Sequence, residues 1–293
     1  MTDTMRVAAV QFDMRAVARD TEFLARCGYF VQAAAGYGVD VLLFPELFTN
    51  PLMPHAGRPA SLRAFAEATP KLLEAFTYFA TTHQLDIIVG SHLTWHEGRL
   101  LNIAHLVRRD GSIARQAKLH ITPSEKQAWQ VEPGNRVEVF DTAKGRIAIL
   151  ICYDIEFPEL ARIATAKGAD VIFVPFNTDL RSGYLRVRSC AQARCIEDNT
   201  YCVLAGAVGH LAGVPGSDQH YAQSCVLTPS DLPFPRDGIA AEAEPGIETM
   251  LVQDLDLGLI RRSRTGLTVR TWVDRRPDLY RLTYLGEDGP QDI

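Results

Sequence analysis

The chain has 293 residues, of which 47% are hydrophobic, and its 30 basic and 35 acidic side chains give a formal charge of −5. That size and composition suit a folded protein with a substantial core. The sequence has neither a Lys/Arg run of the kind that tracks phosphates nor an apolar run near the roughly 20 residues that cross a bilayer, so nucleic acid and membranes are not expected partners.

The N-terminal stretch "MTDTMRVAAVQFDMRA" lacks the pattern of a secretory signal, because its apolar part is short and runs into Asp13 and Arg15. We therefore expect a cytoplasmic protein. In that compartment the six cysteines are expected to be free thiols.

In the first half of the chain, short apolar runs alternate with helical patterns. Buried strands are predicted at 6–12, 39–48 and 85–93, and helices at 18–36 and on both sides of Pro70 within 61–84. Two strands joined at Asp110–Gly111 are predicted within 101–121.

The second half repeats this alternation. A strand pair is predicted at 135–152, helices at 157–168 and 184–199, and strands at 169–177, 200–208, 220–230 and 248–257. Residues 230–246, rich in Pro, Gly and charge, are expected to form a surface loop. This pattern favours a layered α/β fold, and since no shift in composition marks a linker, we expect one domain over 1–293.

Two polar residues stand where apolar strands end. Glu46 follows "VLLFP", and Asn177 follows "VIFVPF". The carboxyl ends of strands are where α/β folds bind ligands. Burial would raise the pKa of Glu46 and suit it to general-base catalysis, although the local pattern fits a surface glutamate equally well.

Cys152 ends the strand "RIAILIC", and Pro158 opens the next helix. On such a turn a thiol has backbone N–H groups beside it, which suits a nucleophile; the alternative is a small buried apolar residue. A nucleophilic thiol needs a base, but no histidine is obviously placed for this role. Lys118, in "IARQAKLHI", supplies a cation or simply faces water.

The segments "LLFPELF", "AKLHITPSE" and "ILICYDIEFPELAR" occur in this order and together resemble the three motifs of the nitrilase-like carbon–nitrogen hydrolases. The resemblance runs from "AAVQFD" to about residue 260, which leaves a C-terminal extension from about 262. It implies a four-layer αββα sandwich, often dimeric or a larger homo-oligomer, and a Glu46–Lys118–Cys152 triad. It also implies an accessory carboxylate, for which Glu125 is favoured and Glu132 is the competitor.

The expected reaction is hydrolysis of a non-peptide C–N bond, from a small amide to an acid and ammonia, through a thioester on Cys152. It requires no cofactor and no metal. Tyr153, Trp129, Phe176 and Asn177 are predicted to contact the substrate, with core packing as the alternative for Trp129 and Phe176. Acyl transfer, nitrile hydrolysis and a non-catalytic binding or scaffold role remain open, as does the choice among amides, carbamoyl compounds and nitriles.

Overall fold

The computed structural model describes residues 3–53, 61–214, 216–286 and 289–293. Within these ranges two 3-10 turns lie at Asn50–Leu52 and Cys152–Glu156. The helices are α1 (Asp20–Gly36), α2 (Leu62–Glu67), α3 (Thr69–His83), α4 (Pro123–Trp129), α5 (Pro158–Ala166), α6 (Arg181–Asp198) and α7 (Leu257–Ser263). The strands are β1 (Thr4–Met14), β2 (Val41–Leu43), β3 (Asp86–Ile88), β4 (His92–His96), β5 (Arg99–Val107), β6 (Ile113–Ala117), β7 (Val139–Asp141), β8 (Arg146–Ile149), β9 (Val171–Phe176), β10 (Tyr201–His210), β11 (Gln219–His220), β12 (Cys225–Leu227), β13 (Ile239–Glu242), β14 (Thr249–Asp256), β15 (Thr283–Gly286) and β16 (Gly289–Asp292).

The main sheet consists of two halves that meet at β1 and β10. Its hydrogen-bonded order is β4-β5-β3-β2-β1-β10-β9-β8-β7, and β6, β11, β12, β13 and β14 pair at its sides. The start of β1 pairs with β2 and β14, whereas its end, Phe12 to Met14, pairs in parallel with Ala207 to Gly209 of β10. The long strand β1 therefore links the two half-sheets covalently and by hydrogen bonds.

Side chains of β1 alternate between two buried cores. Val7 and Ala9 belong to a core shared with β8, β9, β10, α5 and α6, and Ala8 and Val10 belong to a core shared with α1 and α3. Because successive strand residues point to opposite faces, β1 is covered on both sides. The layer order is helices, sheet, sheet, helices, as expected for an αββα sandwich.

One segment differs from the sequence-based expectation. Residues 239–242, within the expected surface loop 230–246, form β13 and pair antiparallel with β12. Gly and Pro residues lie near this segment, but the segment itself reads Ile-Ala-Ala-Glu. A strand this short is stabilised by its pairing with a neighbouring strand and not by its own composition. The predicted loop was therefore wrong over these four positions.

Residues beyond 262 pack onto the body of the protein. The hydroxyl of Tyr284 accepts a hydrogen bond from the Val137 backbone N–H at 2.9 Å, and Asn199 donates to the Thr271 hydroxyl at 2.8 Å. These contacts support our proposal that 1–293 forms one domain with a C-terminal extension. None of the helices in the described ranges is long and apolar enough to cross a membrane.

Acid is expected to destabilise the fold through His92, which is buried on β4. Burial lowers the pKa of His92 from 6.5 to about 3, so the unfolded chain binds a proton at pH values where the folded chain does not. Stability is then lost as pH falls below about 6.5, by about 2 kcal/mol at pH 5. Urea unfolding at pH 7.5 and 5 should show this extra loss for the wild type relative to His92→Gln. Parallel pH dependences would contradict the assignment.

Candidate active site

A cavity of about 870 Å³ opens beside the carboxyl ends of β8 and β9. Its buried end is lined by Glu46, Lys118, Glu125 and Cys152, which come from three separate segments of the chain. Strands β2, β6 and β8 precede Glu46, Lys118 and Cys152 respectively. The cavity therefore brings together three of the side chains that the sequence motifs singled out, with the favoured accessory carboxylate.

The Lys118 ammonium lies between two carboxylates at the buried end of the cavity. Its Nζ donates to Glu46 Oε1 at 2.7 Å and to Glu125 Oε2 at 2.5 Å. The Lys118 side chain is 1% exposed, so these bonds are shielded from water. A buried ammonium requires such partners, because leaving it unpaired would cost several kcal/mol.

Asn102, which the sequence analysis did not identify, ties the two carboxylates together. Its Nδ2 donates to Glu46 Oε1 at 3.0 Å and to Glu125 Oε1 at 2.8 Å, and its backbone oxygen accepts from the Lys118 N–H at 2.8 Å. The signal available in the sequence was an amide side chain within the apolar run "RLLNIAHLV", and the structure buries it fully. A polar side chain in such a strand requires a hydrogen-bonding partner.

The backbone around Glu46 is held by the segment that follows β3. Ser91 N–H donates to the Pro45 carbonyl at 3.2 Å, and Leu47 N–H donates to Ser91 Oγ at 3.1 Å. Gly90 has φ +41°, and a Cβ there would lie 1.8 Å from the Pro45 oxygen. Only glycine fits this close approach, so Gly90 helps to fix the turn that presents Glu46.

Cys152 lies three residues beyond the end of β8, at the first position of a 3-10 turn that leads into α5. Its φ of +48° is in the left-handed region, which non-glycine residues rarely adopt. The Sγ atom donates to the Asn177 carbonyl at 3.9 Å, and Glu46 is near enough to raise the pKa of the thiol. A strained turn of this kind, held by its surroundings, is a recurrent feature of functional sites.

Asp154 joins the Cys152 turn to the segment after Lys118. Its carboxylate accepts from the backbone N–H groups of His120 at 2.8 Å, Leu119 at 3.2 Å and Ile151 at 3.4 Å. The Asp154 side chain is fully buried. It therefore sets the spacing between the lysine and the cysteine from a position outside the cavity.

Glu125 is fixed by a capping box at the start of α4. The Thr122 hydroxyl accepts from the Glu125 N–H at 3.3 Å, while Glu125 Oε2 accepts from the Thr122 N–H at 3.1 Å. The Thr-x-x-Glu spacing of "TPSE" is the sequence signal for this arrangement. Glu132, the competitor, is exposed, whereas Glu125 is buried against Lys118.

The environment pushes the pKa values of the two carboxylates in opposite directions. Burial raises the pKa of Glu46, and Lys118 only partly opposes it. Burial would also raise the pKa of Glu125, but Lys118, Asn102 and Thr122 outweigh it and lower the pKa. Carboxylates separated in this way can divide proton transfer from charge stabilisation.

The cation and the thiol also have shifted pKa values. Burial alone would lower the pKa of Lys118, but Glu46, Glu125 and Cys152 raise it, so the side chain stays an ammonium. Burial and the nearby Glu46 raise the pKa of Cys152 well above its ordinary value. The resting sulfur is therefore a thiol that needs a base to become a nucleophile.

Three of the four predicted substrate contacts line the cavity, namely Tyr153, Trp129 and Asn177. Phe176 does not belong to the described lining. It is fully buried, its ring lies 6.2 Å from that of Tyr184, and it packs closely against Gly206. As the last residue of β9 it points into the core, so packing and not substrate contact explains it.

Comparison with known proteins gives concordant results. The family model described as carbon-nitrogen hydrolase matches residues 6–265. The probable hydrolase YhcX of Bacillus subtilis is 45% identical over 96% of this chain, which spans only 55% of YhcX. The mouse ω-amidase NIT2 is 25% identical over 94% of this chain and 97% of its own length. The solved amidase of Nesterenkonia sp. is 22% identical, with a TM-score of 0.73 over 94% of this chain and 96% of the amidase chain. At that identity the similarity shows the fold alone. It confirms the predicted sandwich.

Proposed function

The chain belongs to the carbon–nitrogen hydrolase family, and from that premise we propose that it hydrolyses a small non-peptide amide to an acid and ammonia. The observation that carries this proposal is the Lys118 ammonium held between Glu46 and Glu125 beside the Cys152 thiol. An acid–base group, a cation and a nucleophile converge on one cavity, which is the requirement for acyl transfer through a cysteine.

In the first half-reaction, Glu46 takes the thiol proton as Cys152 Sγ attacks the amide carbon. The oxyanion of the tetrahedral intermediate is stabilised by Lys118 Nζ and the backbone N–H of Tyr153. Such donors typically contribute about 3–4 kcal/mol each. The C–N bond then breaks, Glu46 returns the proton to the departing nitrogen, and ammonia leaves behind a thioester.

In the second half-reaction, Glu46 deprotonates a water molecule that attacks the thioester carbon. The C–S bond breaks, the proton passes back to sulfur, and the acid leaves. Glu125 stays anionic throughout, because its pKa is lowered, and it keeps Lys118 charged and in place. The scheme uses neither a metal nor an organic cofactor.

The relatives support an amide substrate. The mouse protein is an ω-amidase, and a double mutant of the Nesterenkonia amidase has been solved in complex with acrylamide. Another mutant of that amidase shows covalent addition of the acetamide moiety of fluoroacetamide at its active-site cysteine. These properties belong to those proteins, and we extend amide hydrolysis to this chain as part of the proposal.

The exposed end of the cavity indicates which amides fit. Glu156, Asp179 and Asp218 line it together with Arg186, whose Nε lies 3.4 Å from a Glu156 carboxylate oxygen. Arg186 is thus already paired, and the remaining charge is negative. A carboxylate on the substrate would be repelled there, whereas a neutral or cationic group would not.

We expect 3-aminopropanamide and butanamide to be hydrolysed with a higher kcat/KM than succinamate, which has a similar length but carries a carboxylate. The difference should be roughly tenfold at low ionic strength and should shrink as salt is added. Ammonia release measures all three, and Asp179→Asn with Asp218→Asn should narrow the gap. A clear preference for succinamate would contradict this assignment.

The same assay separates the alternatives. A nitrile hydrolysed faster than any amide would favour nitrile hydrolysis, and an acylated product in place of the free acid would favour acyl transfer. No turnover of any compound, together with no adduct on Cys152 from fluoroacetamide, would favour a binding or scaffold role. A cytoplasmic location and a homodimer or larger homo-oligomer stay predictions.

A further inference from the structure

His220, on the short strand β11, is a buried side chain at the cavity wall that the proposed mechanism does not use. It is 7% exposed and bridges two segments. Its Nε2 lies 3.0 Å from the Ser217 carbonyl oxygen and 3.4 Å from the Ser217 hydroxyl, and its Nδ1 lies 2.7 Å from Asn177 Oδ1. Both ring nitrogens are therefore engaged, and one of them holds a cavity residue.

Asn177 touches the reacting groups through its backbone. Its N–H donates to Glu46 Oε2 at 3.1 Å, and its carbonyl accepts from the Cys152 thiol at 3.9 Å. The other oxygen of Glu46, Oε1, is occupied by Lys118 and Asn102. The peptide groups of Asn177 therefore face the carboxylate oxygen that remains for proton transfer and the sulfur that supplies the proton.

The sheet itself does not orient these peptide groups. The ladder between β9 and β10 ends at the pair Phe176 and Gly206, one residue before Asn177. Beyond that point the chain is held by the last residue of β11 and the residue after it: His220 holds the Asn177 side chain, and Tyr221 N–H donates to the Thr178 carbonyl at 2.7 Å. Contacts with His220 and Tyr221 thus replace the strand pairing that has stopped.

The same network reaches the segment that carries Glu46. Asn50, in the 3-10 turn after Glu46, donates from Nδ2 to Ser217 Oγ at 2.9 Å. Asn50 and Ser217 are both buried. His220 therefore links Ser217, which is bound to the segment that carries Glu46, to Asn177, whose backbone faces Glu46 and Cys152.

We propose that His220 is a positioning residue for the hydrolysis, acting through Asn177 to hold Glu46 Oε2 and the Cys152 thiol in proton-transfer geometry; this rests on the proposed function. Burial lowers the pKa of His220 to about 4, so the ring is neutral near pH 7 and carries one N–H. Asn177 Oδ1 can only accept, and its contact is the shorter one, so that proton lies on Nδ1. Nε2 then accepts from the Ser217 hydroxyl, whose Oγ lies 3.4 Å away. A test of the proposal must therefore compare a variant that keeps one donor and one acceptor at this spacing with a variant that removes both.

The test measures alkylation of each cysteine by iodoacetamide, followed by peptide mass spectrometry. In this reaction Cys152 Sγ bonds to the methylene carbon, iodide leaves, and Glu46 receives the thiol proton, so no natural substrate is needed. We expect His220→Leu, which removes both hydrogen bonds, to slow Cys152 alkylation roughly tenfold or more at pH 7.5 and to alter its pH profile. His220→Gln, which keeps a donor and an acceptor, should remain within about threefold of wild type.

The chain offers internal controls for folding. Cys190, half-buried on α6, should react at the same rate in every variant, and the buried Cys27 and Cys225 should stay protected unless the protein unfolds. His105→Leu removes another buried neutral histidine, which lies on β5 and does not line the cavity, and it should leave the Cys152 rate unchanged. If His220→Leu exposes the buried cysteines, His220→Asn, polar but too short to bridge, takes its place.

A wild-type Cys152 rate and pH profile in a folded His220→Leu or His220→Asn protein would overturn the positioning role and leave the proposed function intact. A wild-type protein in which Cys152 reacts no faster than Cys190 would instead overturn the activation of the thiol, and with it the proposed function. If His220 only filled space, the Cys152 alkylation rate would not recover in His220→Gln relative to His220→Leu.

Discussion

Cys152→Ala is expected to lower kcat for the best amide substrate by at least about 10⁴-fold, because no other group can form the acyl intermediate. The substitution removes only the sulfur from a buried position whose φ is +48°, a conformation that alanine tolerates as cysteine does. It should therefore cost about 1 kcal/mol of unfolding free energy and leave the fold intact. Ammonia release under saturating substrate, with circular dichroism of the same samples, makes the measurement.

Cys190→Ala is the matched control for the loss of a thiol. Cys190 lies on α6, outside the cavity lining, and its removal should leave kcat unchanged. Retention of more than about 1% of wild-type turnover in Cys152→Ala would mean that the C–N bond is broken without a thioester. The Glu46 and Lys118 pair would then have to act on water directly, and the scheme above would be replaced.

Glu46→Gln is expected to lower kcat by about 10³–10⁴-fold, because the amide keeps the shape of the carboxylate but cannot accept the thiol proton. Since burial raises the pKa of Glu46, wild-type activity should fall with decreasing pH at a midpoint above the usual glutamate value of about 4.3. The variant should lose this acid limb. Its residual activity should rise with pH, as the Cys152 thiol, whose pKa is raised, ionises without help. The pH profile of kcat/KM for both proteins reports this difference.

Glu132→Gln is the control for this substitution, because Glu132 was the competing accessory carboxylate and is exposed. It should behave as wild type at every pH. A Glu46→Gln protein with wild-type kcat and an unchanged acid limb would assign the base elsewhere. Glu125 would then be the remaining carboxylate bound to Lys118. Because its pKa is lowered, the acid limb of the activity profile would have its midpoint below pH 4.3.

Local pattern was sufficient for the elements that present the motifs. Pro45 ends the apolar run before Glu46, and the apolar run 147–151 followed by Pro158 predicts the turn that carries Cys152. Hydrophobic runs and proline positions act over a few residues, so they can be read without knowing the rest of the chain. The same reasoning was wrong for β13, whose order comes from pairing with a distant strand.

Contacts between segments that are distant along the chain could not be predicted from the local sequence pattern. Asn102, Asp154 and His220 each act on residues from other segments, and each has a plausible local explanation as a strand, turn or loop residue. For Phe176 the local pattern suggested a role that the structure does not support. Its position at a strand end suggested that it lines the cavity, but side chains alternate between the two faces of the strand and that of Phe176 points into the core. Which face a strand residue takes is set by the sheet and not by the residue.

The sequence by itself determined the residue types at the strand ends, the family resemblance that they carry, and the preference for Glu125 through its place after "AKLHITPS". Only the tertiary structure decided that Lys118 and Glu46, 72 residues apart, lie within 2.7 Å, and that Asn177 faces the other oxygen of that carboxylate. The reason is physical: composition and periodicity act along the chain, whereas the meeting of side chains depends on strand order and on how two half-sheets stack.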